Sequence, residues 1–334
     1  MILILRRLAV SIVTLFLASF FVFFAVQALP GDVAQQLLGQ NATPEAVATL
    51  RAKLGLDDSV WVRYGNWLSS AIHGDLGTSL VSGKSVSGTI WAAFTHTLLV
   101  AVPAMLIGVT VSVLLGVWAA SRRGGRIDHA VSVLSLVTMS IPEFVVATLL
   151  INVFAITIPI FPAVVLQGPA ATVGNLLPAI WLPIVVLVFS MVAYIIRATR
   201  SSTIDGLATE YATMAELQGH RRRVVLFKHV LPTAMLPVLP VISINVAWLL
   251  GGVVVTETVF NYPGLGKLMI DSVSTRDLPV LQAIALLSAC VYVLANLVAD
   301  MTAMGLDPRQ RTSSPSRQVT TAPTDDLEQK GPAA

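Results

Sequence analysis

Residues 215–232 read AELQGHRRRVVLFKHVLP, a short basic segment that separates two long apolar runs. The segment contains three consecutive arginines and ends on Leu231-Pro232. Over the whole chain, 55% of the 334 residues are hydrophobic and only 12% are charged. Soluble proteins carry roughly 25% charged residues. The composition therefore predicts a membrane protein, and the basic segment is predicted to lie outside the bilayer.

Membrane spans are predicted from length, because a helix needs about 20 mostly apolar residues to cross a bilayer. The first apolar run is interpreted as a retained anchor, since it is longer than the core of a cleaved signal peptide. The predicted fold class is all-α, a polytopic membrane protein with about six transmembrane helices. The six predicted spans are residues 8–29, 97–120, 130–154, 178–196, 233–255 and 279–299.

Basic residues set the predicted orientation. Loops rich in Lys and Arg face the cytoplasm, so both termini and residues 215–232 are predicted to be cytoplasmic. The formal net charge of +3 then reflects topology, and no nucleic-acid partner is expected. The basic residues predicted on the cytoplasmic side are Arg6, Arg7, Arg122, Arg123, Arg126, the six between 197 and 228, and four in the tail.

The spans divide the chain into four parts. The tail is rich in Ser, Thr, Pro and charge, and it is predicted to be disordered because it cannot bury enough apolar area. The parts are a cytoplasmic N-terminus with the first span (1–29), an extracytoplasmic loop with short helices (30–96), a transmembrane core that includes the cytoplasmic loop 197–232 (97–307), and a cytoplasmic tail (308–334).

The outer loop carries two helix signals. Thr43-Pro44-Glu45 predicts a helix start, with Thr as the N-cap and Pro at the first helical position. Trp61, Tyr64 and Trp67 recur every three residues, which favours a helix that lies at the membrane interface.

Patterns for catalysis and nucleotide binding are weak. Residues 82–85 read SGKS, like the end of a phosphate-binding loop, but Thr78 stands where that motif needs glycine. The five histidines are scattered between the predicted sides, and the single Cys290 excludes an intramolecular disulfide. We expect no catalytic residue, no metal site, no cofactor bound by this chain and no enzyme activity.

Acidic residues at membrane depth are candidates for a transport pathway, since a charge at the centre of a spanning helix costs at least about 2.5 kcal/mol. Glu143 lies deep in the third predicted span. For Glu257 and Asp300, hydration at the interface and a functional role both stay open. Polar residues in the fifth predicted span make it the candidate pore-lining helix. The pathway candidates are Glu143, Ser243, Asn245 and Glu257.

The basic segment itself resembles a helix-glycine-helix element. Residues 201–217 are compatible with a helix and carry a partial apolar stripe at Leu207, Tyr211, Met214, Ala215 and Leu217. Gly219 stands where a helix C-terminus favours the left-handed conformation. A predicted spanning helix lies on each side of this element in the sequence. A partner that pushes on the element would therefore move these spanning helices.

Here the chain resembles the integral membrane permeases of ABC importers. Their cytoplasmic loop reads Glu-Ala-Ala, three residues, Gly, nine residues, then apolar-x-Leu-Pro. Gly219 and Leu231-Pro232 keep that spacing, with His229 at the apolar position, while Thr213-Met214-Ala215 matches only the last Ala. That departure resembles the dipeptide/oligopeptide (peptide/nickel) branch and its B-type subunit. Further motifs of this branch are LPGD at 29–32, LGLD at 54–57, VRYGNWL at 62–68, GDLGTS at 74–79, ETVFNYPGLG at 257–266 and LDPR at 306–309.

The resemblance implies a type I-like permease in a bacterial cytoplasmic membrane. It implies a second homologous permease subunit, two cytoplasmic ATPase subunits that hydrolyse ATP, and an extracytoplasmic substrate-binding protein that docks on the outer loop. Short peptides are the expected cargo; nickel, glutathione or haem are alternatives. An ATP-independent secondary transporter is less favoured, because no internal inverted repeat is evident.

The basic segment would be the loop that couples the permease to its ATPase. Small residues at Ala215 and Gly219 would admit a close approach of the ATPase. The arginines at 221–223 would pair with ATPase acids or with anionic lipid headgroups. The implied coupling residues are Thr213, Met214, Ala215, Gly219, Arg221, Arg222, Leu231 and Pro232.

Overall fold

The protein is described here from a computed structural model. It describes residues 2–28, 33–38, 42–53, 55–166, 168 and 171–306. The predicted tail at 308–334 and the motif LPGD at 29–32 lie outside these residues.

The described chain is built from helices. The described residues form no β-strand, and their one β-contact is an isolated antiparallel bridge between Thr78 and Ser85. Short π-helical turns at Asn152–Thr157 and Val225–Val230 and a 3-10 turn at Leu177–Ala179 extend helices α7, α11 and α8, respectively. The helices are α1 Ile2–Gln27, α2 Val33–Leu38, α3 Pro44–Lys53, α4 Val60–Ile72, α5 Val86–Ser121, α6 Arg126–Ser140, α7 Glu143–Ile151, α8 Val173–Leu176, α9 Trp181–Leu207, α10 Glu210–Leu217, α11 Arg222–Val224, α12 Leu231–Ala234, α13 Val238–Val259, α14 Leu265–Thr275 and α15 Leu278–Leu306.

In the described part of the chain, four helices are long and apolar enough to cross a membrane by themselves, and the number is six if each of two bent pairs is one span. The single helices are α1, α5, α9 and α15. The pairs are α6 with α7 and its π-helical turn, bent by 96°, and the stretch 222–234 with the start of α13, bent by 59°. The predicted all-α polytopic fold is confirmed.

The third predicted span, at 130–154, is broken inside the predicted range. The helix ends at Ser140, and Ile141 is extended, with φ −94° and ψ 120°. Pro142 is the N-cap of α7. The Pro142 ring disfavours a helical conformation for the residue before it. The chain therefore turns here and places Glu143 at the start of a new helix.

Two other predicted boundaries also shift. The second span was predicted to start at residue 97, but α5 begins at Val86. The fifth was predicted over 233–255, but α12 ends at Ala234 and α13 starts after Pro237 and continues to Val259. Apolar composition marks the membrane-embedded part of a helix, whereas hydrogen bonding decides where the helix ends.

Helix α9 lies at the centre of the bundle and packs closely on α5. A Cβ on Gly116 of α5 would lie 2.7 Å from the Cβ of Thr199, and one on Gly108 would lie 2.8 Å from the sulfur of Met191. Small residues on one helix face allow such close helix contacts in membranes. The α5–α9 pair therefore forms the closely packed centre of the bundle.

An ion pair ties α6 to the same helix α9. The side chain of Asp128 is buried and bonds to Arg200, with Nη2 of Arg200 2.8 Å from Oδ2 of Asp128. The same carboxylate accepts a hydrogen bond of 2.9 Å from the backbone N–H of Gly124. The start of α6 is thus fixed relative to α9.

The outer loop follows its predictions in part. Helix α3 begins at Pro44, and the side chain of Thr43 accepts a hydrogen bond from the N–H of Ala46 at 3.3 Å, as an N-cap does. In α4, Tyr64 is buried and its hydroxyl lies 3.0 Å from Oγ of Ser19 in α1. Trp61 remains 65% exposed. One member of the predicted aromatic row thus anchors α4 to the first helix.

Candidate functional site

Residues 210–234 form a compact turn between α9 and α13, which we call the elbow. Gly219 ends α10 with φ +83°, and the N–H of His220 bonds to the carbonyl of Ala215 at 3.2 Å. This is the glycine-terminated helix end expected from the sequence. A Cβ at Gly219 would meet nothing within 4 Å, so its backbone conformation alone favours glycine there.

The inner face of the elbow is apolar. Ala212 and Ala215 of α10 are buried against Val225, Val230 and Ala234. The expectation that Ala215 admits a close approach of another protein therefore does not fit its position, because Ala215 is only 8% exposed and faces its own chain. Its small size lets α10 fold back on the turn that follows.

The outer face of the elbow is also apolar, but it is uncovered. Met214 is 57% exposed and Leu217 is 77% exposed, while Tyr211 is 42% exposed. The predicted stripe through Leu207 is interrupted, since α9 ends there and α10 begins at Glu210. Exposed apolar side chains clustered on one face are typical of a protein contact. Thr213, Arg221 and Arg222 are exposed on the same segment.

Direct contacts join the elbow to the spanning helices. Oγ of Ser202 in α9 donates to the carbonyl of Ala234 at 2.6 Å, and within the elbow the hydroxyl of Tyr211 lies 2.7 Å from Oγ1 of Thr233. A Cβ on Gly206 would lie 2.7 Å from Cγ1 of Val230. The elbow is therefore packed onto the end of α9, and a force on α10 would reach that helix.

Leu231 and Pro232 open the short helix α12. The π-helical turn Val225–Val230 leads directly into this helix. The Leu-Pro pair, predicted to open the fifth span, therefore lies inside the helical stretch 222–234, which meets α13 at a bend of 59°.

A cavity of about 590 Å³ opens beside Glu143. Glu143 is partly buried and accepts a hydrogen bond of 2.5 Å from Oγ1 of Thr256, across from α7 to α13. A Cβ on Gly252 would lie 2.7 Å from Oε2 of Glu143, so this glycine makes room for the carboxylate. Residues of α7, α9 and α13 line the cavity, among them Glu143, Ser190, Tyr194, Asn245 and Trp248.

Two pathway candidates therefore meet, while Ser243 does not join them. Asn245 lines the cavity and donates from Nδ2 to the carbonyl of Val241 at 2.8 Å. Ser243 is buried and donates to the carbonyl of Leu239 at 3.0 Å. Ser243 does not line this cavity.

Glu257 has a different environment from Glu143. It is 1% exposed, which rules out the interpretation that it is hydrated at the membrane surface. Its carboxylate accepts hydrogen bonds from Oγ1 of Thr97 (2.6 Å) and from the backbone N–H groups of Gly266 (2.7 Å) and Lys267 (3.2 Å). Thr97 in turn accepts one from the N–H of Leu265 at 2.8 Å. Together these two side chains satisfy the free N–H groups at the start of α14.

The glycines of the motif ETVFNYPGLG explain why the carboxylate fits there. A Cβ on Gly264 would lie 2.0 Å from Oε1 of Glu257, and one on Gly266 would lie 2.5 Å from the Cα of Val254. Next to them, the hydroxyl of Tyr262 donates to the carbonyl of His96 at 3.0 Å. Burial, together with the nearby Glu257, raises the pKa of Tyr262 above its ordinary value. Spacing alone gives no sign of Thr97 as a partner.

Asp300 pairs with Arg7, which joins α15 to α1.

Within the part of the chain that the structure describes, no group of three or more His, Cys, Asp or Glu residues could hold a metal ion. The described residues therefore form a polar cavity beside Glu143 and the exposed apolar face of the elbow. They also form a buried contact, which we call the latch, in which Glu257 bonds to Thr97 and to the start of α14.

Comparisons with known proteins agree with this arrangement. The family described as "Binding-protein-dependent transport system inner membrane component" matches residues 112–312, and its N-terminal counterpart matches residues 1–101. The chain is 37% identical over 313 residues to a protein named "Probable peptide ABC transporter permease protein y4tP" from Sinorhizobium fredii, covering 92% of this chain and 98% of that one. It is 35% identical over 308 residues to "Glutathione transport system permease protein GsiC" of Escherichia coli, with the same coverage.

Among solved structures, the chain is similar to the one described as inward-facing conformations of the MetNI methionine ABC transporter. The TM-score is 0.49 at 18% sequence identity, and the match covers 66% of this chain and 96% of that one.

Proposed function

The chain belongs to the binding-protein-dependent transport family as an inner-membrane permease of an ABC importer, and we propose that the cargo of its importer is short peptides. The observation that carries this proposal is the cavity beside Glu143. A carboxylate suits the ammonium end of a peptide, Asn245 suits its amide groups, and Tyr194 and Trp248 suit its side chains.

The names of two relatives support the same cargo class. One is described as a peptide permease and the other as a glutathione permease, and glutathione is itself a tripeptide. Nickel, another cargo expected for the branch, would call for clustered soft or imidazole ligands. The described residues form no cluster of this kind.

A second homologous permease subunit would complete the pathway. Trp248 is 72% exposed and Ile244 is 55% exposed on α13, the helix that also carries Asn245 and Thr256. A partner helix against this face would cover the apolar side chains and close the cavity around the cargo. A heterodimer of two permeases is the assembly that we propose.

Two ATPase subunits would bind the elbow. Its uncovered side chains Tyr211, Met214 and Leu217 form an apolar ridge of the kind that seats in a groove of another protein. The contacts of the elbow with α9 would turn closure of the ATPases into movement of the core helices. In this proposal the chain has no ATPase site and binds no cofactor; the partner subunits hydrolyse ATP.

The proposed orientation in a bacterial cytoplasmic membrane follows from charge. The arginines within the elbow and those that follow α5 would face the cytoplasm, together with both termini. The outer loop would then lie on the opposite side, where an extracytoplasmic binding protein could deliver the cargo to it.

Growth and purification test the proposal together. A deletion strain should fail to grow on short peptides as its sole source of a required amino acid, and the chain should purify with two nucleotide-hydrolysing subunits. Unimpaired growth on peptides would contradict the proposed cargo. Transport by the purified chain alone without ATP would favour a secondary transporter and contradict the proposed mechanism.

A further inference from the structure

A second cavity, of about 570 Å³, lies where the end of α5 meets the elbow, away from the one beside Glu143. The proposed cargo assigns it no role, and the family resemblance names only Arg222 and Leu231 of its lining, as coupling residues. One side of it is built from the last turns of α5, and the other from residues of the elbow. The lining residues that matter here are Leu114, Trp118, Arg122, Arg222, Arg223 and Phe227.

One side of this cavity is apolar and continues along α5 into its spanning part. Leu114 is 59% exposed, and it lies one helical turn before Trp118, which is 46% exposed. Phe227 of the elbow is 53% exposed on the opposite side. Exposed Leu beside Trp and Phe at the end of a spanning helix is the pattern of a surface that meets lipid at the membrane interface.

The part of the cavity next to the end of α5 and to α11 is strongly basic. Arg122 lies with its Cζ 5.9 Å from the centre of the Trp118 ring, directly after the end of α5. Arg222 and Arg223 come from α11 of the elbow. All three are exposed, and none forms an ion pair with a described residue. The lining includes no carboxylate, so three positive charges face the opening without a counter-charge.

We propose that this cavity binds the headgroup of an anionic phospholipid. The phosphodiester would lie among the three arginines, and one acyl chain would lie along Leu114 and Trp118. Basic pockets between spanning helices at the cytoplasmic surface are typical sites for such headgroups. An acidic loop of an ATPase could also pair with the three arginines, but it would leave the apolar side of the cavity along α5 uncovered.

A bound headgroup would add a direct link between α5 and the elbow, which are otherwise connected through α9. It would bridge Arg122 at the end of α5 to Arg222 and Arg223 of the elbow. Since the elbow is the proposed ATPase contact, anionic lipid would strengthen the link between ATP hydrolysis and movement of α5.

The test uses the assembled transporter in nanodiscs of phosphatidylcholine, with and without phosphatidylglycerol. Native mass spectrometry counts the phosphatidylglycerol that stays bound, and the rate of ATP hydrolysis is measured in parallel. A triple variant, Arg122→Gln with Arg222→Gln and Arg223→Gln, should bind phosphatidylglycerol about a hundredfold more weakly, since each arginine near the surface contributes about a fivefold change in affinity. It should also lose any stimulation of hydrolysis by that lipid.

The matched control removes the same amount of charge outside the cavity, with Arg123, Arg126 and Arg197 each changed to Gln. The control should retain phosphatidylglycerol like the parent. Equal retention in the parent and in the cavity variant would overturn the proposal. So would equal losses in the cavity variant and the control, because binding would then depend on net charge alone.

A third outcome would assign the arginines to another partner. If the cavity variant loses its ATPase subunits but keeps its phosphatidylglycerol, the arginines bind the ATPase and the proposal is wrong. If the triple variant does not assemble, Arg223→Gln alone should weaken retention about fivefold. Unchanged retention in that single variant also overturns the proposal.

Discussion

Replacing Gly264 with alanine should destabilise the protein by removing the latch at Glu257. The new methyl group would lie 2.0 Å from Oε1 of the carboxylate, which must then leave its site. Backbone strain is not the cause, since Gly264 has φ −103°. Any residue accepts that angle.

The expected cost follows from the hydrogen bonds that are lost. Departure of the carboxylate leaves three donors without their acceptor: the buried hydroxyl of Thr97, the buried N–H of Gly266 and the part-buried N–H of Lys267. Each unsatisfied buried donor costs about 1–3 kcal/mol. Because the N–H of Lys267 is only part-buried, we expect a total loss of about 3–5 kcal/mol in the free energy of unfolding.

The assay is equilibrium unfolding of the purified chain in mixed micelles, titrated with a denaturing detergent. Gly251→Ala is the matched control: it replaces another glycine of the same region, and its Cβ would meet nothing within 4 Å. That substitution should be neutral or stabilising by up to about 1 kcal/mol, because alanine favours a helix interior over glycine.

A double-mutant cycle makes the test stricter. Glu257→Ala deletes the same three interactions, so the combination with Gly264→Ala should cost little more than either change alone. If the two costs add, or if Gly264→Ala is as stable as Gly251→Ala, then the latch does not contribute as its geometry implies.

Three further predictions concern the elbow, the core and the cavity. Gly219→Val should reduce ATP-driven uptake severalfold while membrane insertion is unchanged, because a β-branched residue is strained at φ +83°, by about 1–3 kcal/mol. Gly219→Asn should keep uptake, and equal uptake by both variants would refute the reason given. Arg200→Ala should cost about 3–5 kcal/mol in detergent unfolding, since it leaves the buried Asp128 carboxylate without its partner; a loss below about 1 kcal/mol would contradict that role. Glu143→Gln should raise the peptide concentration needed for half-maximal uptake and leave unfolding nearly unchanged, whereas unaltered uptake kinetics would exclude Glu143 from the pathway.

Much of the fold could be predicted from the sequence because lipid imposes one strong rule: every spanning segment must be long, apolar and helical. The same rule says little about breaks within a segment. Pro142 lies inside an apolar run, and composition does not show whether a proline bends a helix slightly or ends it. The 96° turn there depends on how α7 packs against α9 and α13.

The candidate site was predictable where the signal is local. Gly219 was recognised because a left-handed helix end depends on one residue and its immediate neighbours. The buried environment of Glu257 could not be predicted, because its partner Thr97 lies 160 residues away in the sequence. The burial of Ala215 could not be predicted for a similar reason: its packing with Val225 and Val230 requires the chain to turn back on itself.

Cross-linking from the exposed face of the elbow tests the central claim most directly. Cys290 is first replaced by serine, and a single cysteine is then placed at Met214, which is 57% exposed, or at Val62 of α4, which is 52% exposed. In the assembled transporter, the cysteine at position 214 should cross-link to an ATPase subunit, in a yield that changes when ATP is bound, and the cysteine at position 62 should not. Labelling of position 214 by a membrane-impermeant maleimide from outside intact cells, with no cross-link to any ATPase, would contradict the account.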